Sequence, residues 1–256
     1  MKKLKVFFAI LLVFIIMLSM IGCSSVNTME RIQKDKKIVW GTNAAFPPFE
    51  MKKGNDVIGI DAEIAQKVAE KLGVDLITED MEFEALPAAL KSGKVDFIAA
   101  GYTVKPEREK NMTFSDKYFK AVQVIIVQKD NNDINGPDDL KNKKIGVQLG
   151  TTGDIDVASE IEGAEVSQYN TVIEAVLDLK NGKIDAVIID NLPAQMLAAQ
   201  NPEIKILEEK AAAEEEYAIA VRKGDQELIN VINEVIAEVK EKDQMEELVN
   251  KYFIGE

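Results

Sequence analysis

Histidine is missing from the chain, and cysteine occurs once, at position 23. One thiol leaves no intramolecular disulfide to staple the fold. Without histidine, and with no HExxH, GxSxG or EF-hand pattern, neither a metal site nor a cofactor is expected. Positive charge is the scarcer sign: 31 Lys and Arg stand against 44 Asp and Glu, a net charge of −13. Phosphate binding needs a basic surface, so nucleic acid is not an expected partner. The acidity serves solubility and mildly favours cationic solutes. What is present is ordinary for a globular protein. With 46% hydrophobic and 29% charged residues, a chain of 256 can build one large or two modest domains.

The N-terminus belongs to a different solvent. Lys2, Lys3 and Lys5 precede an apolar run at 6–21, and Gly22 and Cys23 then lead into the polar SSVNT. That is the layout of an export signal, and the run is shorter than the roughly 20 residues a spanning helix needs. A permanent N-terminal membrane anchor is the alternative. The placement of Cys23 directly after Ile21 and Gly22 resembles the lipobox of bacterial lipoproteins, with Met20 where leucine is commonest. The resemblance implies a signal peptide at 1–22 and lipidation of Cys23 as the mature N-terminus. It also implies a tether at 23–35 and a place on the outer face of the cytoplasmic membrane. The mature chain would then carry 28 basic and 44 acidic residues, a net charge near −16.

Beyond residue 35 the chain states one plan twice. KKIVWGTN at 36–43 is a strand entering a Gly-Thr turn, and KKIGVQLGTT at 143–152 does the same. LKSGKVDFIAAG at 90–101 is echoed by LKNGKIDAVIID at 179–190. Each echo reads as a helix end, a glycine stop, a short loop and a buried strand. Two echoes in the same order favour two similar α/β lobes. Asp61 is expected to cap a helix carrying Ile64, Val68 and Leu72 on one face. A strand at 74–78, a short helix at 84–91 and a β-rich run at 122–128 follow. Helices are expected at 152–161, 171–180 and 191–199. A last strand at 217–221 precedes helices at about 225–240 and 243–252, the first with Leu228, Ile229, Ile232, Val235, Ile236 and Val239 at helical spacing. Glu214, Glu215 and Glu216 read as a solvated segment. The economical topology returns the C-terminal elements to the first lobe. Lobe 1 is then 36–120 with 214–256, lobe 2 is 121–213, and crossovers near 119–122 and 212–216 make a double hinge. A small ligand is expected in the cleft between lobes.

The stretch 93–118 organises this plan. Its apolar strand ends at Gly101, and the turn beyond carries Thr103 and Arg108. Ligands sit just past the carboxyl ends of strands in open α/β sheets. Arg108 could grip both oxygens of a small carboxylate, and Thr103 could add a hydroxyl and an N–H. The plainer reading is a surface loop with an incidental arginine.

With these residues in view, the chain resembles the amino-acid-binding proteins of bacterial ABC importers, in particular the polar-amino-acid group of extracellular solute-binding proteins. The resemblance covers the chain after Lys36. It rests on the order and spacing of GTNAAFPPFE, GIDAEIAQKVAEKLG, FEALPAALKSGKVDFIAAGYTVKPERE, FSDKYF, VQLGTTGD and LKNGKIDAVIID. It implies a periplasmic-binding-protein-like fold of type II: α/β, with two Rossmann-like lobes joined by a double-crossover hinge. It further implies that Gly101, Thr103 and Arg108 hold the α-carboxylate and help with the ammonium. Thr151 and Thr152 would offer N–H groups and a hydroxyl to the same carboxylate, Asp190 would bind the ammonium, and Phe46 and Phe83 would sandwich the side chain. Lys105 stands where the family usually has a second threonine. Read alone, Phe46 and Phe83 are ordinary core residues, Asp190 a helix cap, Gln148 a partly buried strand residue, and Glu82 and Glu84 solvated.

Asn43 replaces an acid that family members for basic or amide side chains often carry there. With Gln148 across the cleft, the distal pocket reads as polar and neutral, favouring glutamine and leaving arginine or cystine open. The expected function is capture of a polar L-amino acid between the lobes and delivery to an ABC importer permease, with no turnover. A fold-sharing dehydratase-like enzyme and a sensor ectodomain are the competing classes.

Overall fold

The computed structural model describes residues 27–241 and 244–253. The expected signal at 1–22 and the lipidation site Cys23 lie outside the described residues.

The first helix among the described residues is α1 (Thr28–Asp35), where part of a tether was expected. Asn27 caps it by accepting from Met29 N at 2.9 Å. Ile32 is fully buried, Arg31 ion-pairs with the buried Asp96, and Thr28 Oγ1 donates to Asp225 Oδ1 at 2.7 Å. Those anchors make 28–35 part of the first lobe, so the tether reading fails for this segment.

Lobe 1 is built on a five-stranded sheet. Strand β1 (Lys37–Thr42) lies between β5 (Asp75–Asp80) and β6 (Phe97–Ile98), parallel to both. Strand β13 (Ala220–Arg222) returns from the far end of the chain to pair antiparallel with β6 and with β7 (Met112–Phe114). A small side sheet joins β2 (Ala45–Phe46), β3 (Glu50–Lys53) and β4 (Asp56–Ile58). Helix α2 (Ile60–Leu72) ends at Gly73, whose φ of +66° suits glycine. It packs against α7 (Gln226–Glu241) and α8 (Gln244–Phe253). The apolar face of α7, from Leu228 to Val239, is at most 2% exposed. Short helices α3 (Leu86–Ser92) and α4 (Pro106–Glu109) complete the lobe.

Lobe 2 repeats the sheet order. Strand β9 (Lys144–Gln148) lies between β10 (Glu165–Tyr169) and β11 (Ala186–Asp190), again parallel. Strand β8 (Phe119–Gln128) pairs antiparallel with β11, and β12 (Ile204–Tyr217) pairs antiparallel with β8. Helix α5 (Val172–Lys180) starts in a capping box made by Thr171 and Glu174, and α6 (Asn191–Gln200) follows β11 directly. The sequence echo has a structural counterpart at its aspartates. Asp96 Oδ2 accepts from Val39 N at 2.9 Å, and Asp185 Oδ2 accepts from Lys144 N at 2.8 Å. Each aspartate ties its loop to the central strand of its own sheet.

The two passages between lobes are one paired ribbon. Phe119 pairs with Tyr217, Lys120 with Glu216 and Ala121 with Glu215. The three glutamates are thus strand residues: Glu214 is exposed as expected, whereas Glu215 and Glu216 are partly buried. Two further expectations change. Asp61 is not the cap of α2; Gly59 holds that position, and the fully buried Asp61 carboxylate accepts from Gly101 N at 2.8 Å. The segment 152–161 is no regular helix but a wide turn (Gly153–Val157) followed by a 3-10 turn (Ala158–Glu160). Among the described residues no helix is long and apolar enough to cross a membrane.

Replacing Ile32 with alanine is expected to cost about 2–4 kcal/mol in urea denaturation, the usual range for a fully buried isoleucine. A change below about 0.5 kcal/mol would return residues 28–35 to the tether.

Candidate functional site

The carboxyl ends of both parallel strand sets face one cavity. Lobe 1 contributes Asn43 just past β1, Phe46 on β2 and Phe83 in the turn after β5. Ala100, Gly101 and Thr103 enter just past β6, and Arg108 enters from α4. Lobe 2 contributes Gln148 at the end of β9, Thr151 and Thr152 in the loop beyond it, and Asp190 at the end of β11. Every ligand-site residue singled out in the sequence therefore lines the same space. Glu50 and Ala100 line it too, and sequence reasoning missed both.

Arg108 is held rigidly. Its Nη1 donates to Thr103 O at 2.9 Å and its Nη2 to Gly150 O at 3.0 Å, the second bond crossing between lobes. The guanidinium lies 4.2 Å from the centre of the Tyr102 ring and 5.7 Å from that of Phe83, a cation–π arrangement. Gly101 has a φ of +52°, and a Cβ there would stand 2.7 Å from the Phe46 ring. The absence of a side chain is what lets that ring reach the cavity wall.

At the other end two amides meet. Gln148 Nε2 donates to Asn43 Oδ1 at 2.9 Å across the cleft and to Asn170 O at 3.0 Å, while Asn43 Nδ2 donates to Met81 O at 2.8 Å. Gln148 is thus a buried cross-lobe contact as well as a lining residue. Asn170 Nδ2 also donates to Glu82 Oε1 at 2.9 Å, and Lys105 ion-pairs with Asp156. The lobes stand closed.

The loop after β9 has its hydroxyls committed. Thr151 Oγ1 donates to Gln148 O at 2.7 Å, and Thr152 Oγ1 donates to Glu215 Oε1 at 3.0 Å. Asp154 braces the same loop, accepting from Gly150 N at 2.9 Å and from Gln168 Nε2.

Acids dominate the electrostatics. Asp190 is the first residue flanking α6, yet its side chain makes no capping bond. It is 6% exposed, and Oδ1 has no hydrogen-bond partner among the described residues. Burial, and then the nearby Glu215 charge, push its carboxyl up to about 7, held back by the Tyr217 hydroxyl and the Gln123 amide beside it. Glu50 is 1% exposed, and its carboxyl meets that of Asp61, to which its protonated form can donate. Burial and the adjacent Asp61 push it well above the usual carboxylate range. Asp61 rises to about 6 through burial, held back by the Gly101 N–H and the Tyr118 hydroxyl. Glu50 puts a buried acid in the lining of a cavity whose distal part the sequence read as polar and neutral. The signal for Glu50 was weak: an acid directly after the buried Phe49, in a stretch read for its aromatics. Glu215 and its neighbour Gln123 carried no local signal.

Residues 38–255 match the family model described as bacterial extracellular solute-binding proteins, family 3. Among curated relatives, the arginine-binding extracellular protein ArtP of Bacillus subtilis (strain 168) is 34% identical over 99% of this chain and 100% of its own. Among solved structures, the arginine-bound form of truncated ArgBP from T. maritima is 39% identical with a TM-score of 0.79, covering 82% of this chain and 99% of its own. An ancestral arginine-binding protein bound to glutamine is 40% identical with a TM-score of 0.77, covering 85% and 98%.

Asp190 supplies a pH test of the cleft in the absence of ligand. Its proton is held more tightly in the folded than in the unfolded chain, so its effect on stability depends on pH. The favourable contribution is complete below the unfolded value near 4 and is lost as pH rises through about 7. Asp190→Asn removes the titration. The variant is expected to be more stable than wild type by about 1–3 kcal/mol at pH 8, with the gain shrinking towards pH 5. Thermal unfolding without ligand across that range checks it, and a pH-independent difference would contradict it.

Proposed function

The chain belongs to the bacterial extracellular solute-binding proteins, family 3, and from that premise we propose that it captures a polar L-amino acid in this cavity and hands it to an ABC importer. The observation that carries the reading is the pairing of opposite charges from opposite lobes. Arg108 lines the cavity from the first lobe, and Asp190, with its Oδ1 unpartnered, lines it from the second. A zwitterion satisfies both. Its carboxylate takes the two-pronged guanidinium, and its ammonium supplies the cation that the buried aspartate lacks. Phe46 and Phe83 flank the space for the side chain, and Asn43 and Gln148 close its end. In this reading the protein is a carrier and catalyses no turnover.

Among side chains the charge balance favours arginine. The sequence placed glutamine first because the pocket read as neutral, but Glu50 adds a buried carboxyl to the lining. A guanidinium could draw that group into its ionised form, as an amide could not. The relatives named for arginine support this order. Glutamine is the second reading, favoured by the amide pair at the distal end and by the glutamine complex of the ancestral protein. Cystine is the third. Export by residues 1–22 and lipid anchoring at Cys23 belong to the same proposal and rest on the sequence.

Two experiments test this reading. Calorimetric titration with L-arginine, L-glutamine and L-cystine should rank arginine first. Arg108→Ala should weaken the preferred ligand by about two to three orders of magnitude, equivalent to about 3–4 kcal/mol. Arg108→Lys should lose much of it as well, because an ammonium cannot reproduce the fork. A folded Arg108→Ala variant that binds within threefold of wild type would move the carboxylate site elsewhere. For the anchor, Cys23→Ala should release the protein from membranes or leave an unprocessed precursor. An unchanged fractionation and gel mobility would remove the lipid from the proposal.

A further inference from the structure

The wall of the cavity beside Asp190 contains a closed triangle of hydrogen bonds that the carrier reading does not use. Gln123 Nε2 donates to Glu215 Oε1 at 2.7 Å and to Thr152 Oγ1 at 3.1 Å, and Thr152 Oγ1 donates to the same Glu215 oxygen at 3.0 Å. Gln123 is 1% exposed and Thr152 is 7% exposed. Glu215 is half-buried on β12, in the ribbon that passes between the lobes.

Proton accounting fixes the direction of each bond. An ionised Glu215 accepts only, so both its partners must donate to it. The amide nitrogen of Gln123 has two hydrogens, one for each partner, and no lone pair to offer. Thr152 has a single hydroxyl hydrogen, and Glu215 takes it. What remains on Thr152 Oγ1 is one lone pair. A hydroxyl in that state can accept but cannot donate. It would repel a carboxylate and attract an ammonium. The family resemblance implied the reverse, a hydroxyl offered to the ligand's carboxylate.

We propose that Glu215 is a positioning residue that keeps the Thr152 hydroxyl as an acceptor, so that the ligand's α-ammonium meets both Thr152 Oγ1 and Asp190 Oδ1. The inference rests on the amino-acid reading of the same cavity. It divides the labour there. The carboxylate is left to Arg108 and to backbone N–H groups, since the hydroxyl hydrogens of Thr151 and Thr152 are both spent within the protein. The ammonium end becomes a seat with two acceptors.

The experiment measures L-arginine and its des-amino analogue, 5-guanidinopentanoate, on purified protein. Calorimetry serves the tight ligand and NMR titration at millimolar concentration serves the weak one. Thr152→Val keeps the backbone N–H and removes the hydroxyl. It should bind L-arginine about tenfold more weakly and the analogue within twofold of wild type. Glu215→Ala should show the same selective loss, and Glu215→Gln, whose oxygen still accepts, should recover to within threefold of wild type. The double variant Glu215→Ala/Thr152→Val should be no weaker than Thr152→Val alone, because Glu215 acts through that hydroxyl. This cycle on L-arginine decides the matter even where the analogue is too weak to follow. Equal loss of both ligands in Thr152→Val would assign the hydroxyl to the carboxylate and overturn the proposal. Multiplicative losses in the double variant would overturn it too, by making Glu215 independent. Unfolding curves of each variant separate these effects from a failure to fold. A wild-type protein that binds neither L-arginine nor L-glutamine defeats the amino-acid reading itself, and this inference with it. Wild-type binding with unaffected variants defeats the inference alone.

Discussion

A carboxylate taken out of water needs a cation beside it, and Asp190 has none among the described residues for its Oδ1. The behaviour of the cleft follows from that deficit. In the closed form Asp190, Glu50 and Asp61 are all buried, and all shift towards their protonated forms. The lobes are joined by the buried Gln148–Asn43 and Arg108–Gly150 bonds and by more modest contacts. The Lys105–Asp156 and Asn170–Glu82 pairs sit near the surface, where such pairs typically contribute about 0–1 kcal/mol each. Losing one partner of a buried ion pair costs several times more, roughly 3–5 kcal/mol. None of the contacts that join the lobes brings a cation to Asp190. A guest that brings an ammonium to Asp190 and a carboxylate to Arg108 touches both lobes only when they are closed. That difference in binding between the open and closed forms is what any ligand-driven closure requires.

The duplicated scaffold explains how the two charges come to face each other. In both lobes a central strand is flanked by two parallel neighbours, and an aspartate in the preceding loop hydrogen-bonds back to that strand. Aligning the echoed segments puts Gly101 opposite Asp190 in the plan. The scaffold is common, and the residue at its end is where the lobes diverge. In lobe 1 the position must be small, because a Cβ would collide with the Phe46 ring. In lobe 2 it carries the anionic group. Repetition supplies two equivalent edges, and the two side chains at those edges make the cavity asymmetric enough to orient a zwitterion.

Much of this was legible in sequence because it depends on short-range pattern. The apolar spacing of α7 and the glycine stops of the echoes are local signals, as is the capping box at Thr171. Gly101, Thr103 and Arg108 could be named from the end of their strand, whereas Asp190, Thr151, Thr152, Phe46 and Phe83 needed the family resemblance. The failures share a different property. Helix α1 has one fully buried apolar residue, Ile32, and its other anchors are Asp96 and Asp225, the latter 197 positions away. Asp61 at the start of α2 looks like a cap until the loop carrying Gly101 and the ring of Tyr118 are brought over it. Glu215 reads as one of three solvated glutamates until β12 pairs with β8 and brings Gln123 alongside. In each case the partner that decides the residue's role is remote in sequence, and one-dimensional pattern does not carry that information.

Glu50 makes specificity in this cleft a question of protonation. Before any ligand binds, burial and Asp61 raise its carboxyl well above the usual carboxylate range and so favour its protonated form. A neutral amide side chain leaves it there, and the carboxyl acts as a polar but uncharged wall. A guanidinium makes the ionised form favourable, yet part of its attraction is consumed in removing the proton. Preference for arginine over glutamine therefore equals the strength of the new ion pair minus the cost of ionising Glu50, and that cost falls as pH rises. The same burial that raises Glu50 also strengthens the ion pair once formed, because the surrounding dielectric is low. A tighter pocket increases both terms together. Discrimination between the two side chains is accordingly set less by the size of the cavity than by the distance between the guest's cation and this single carboxyl.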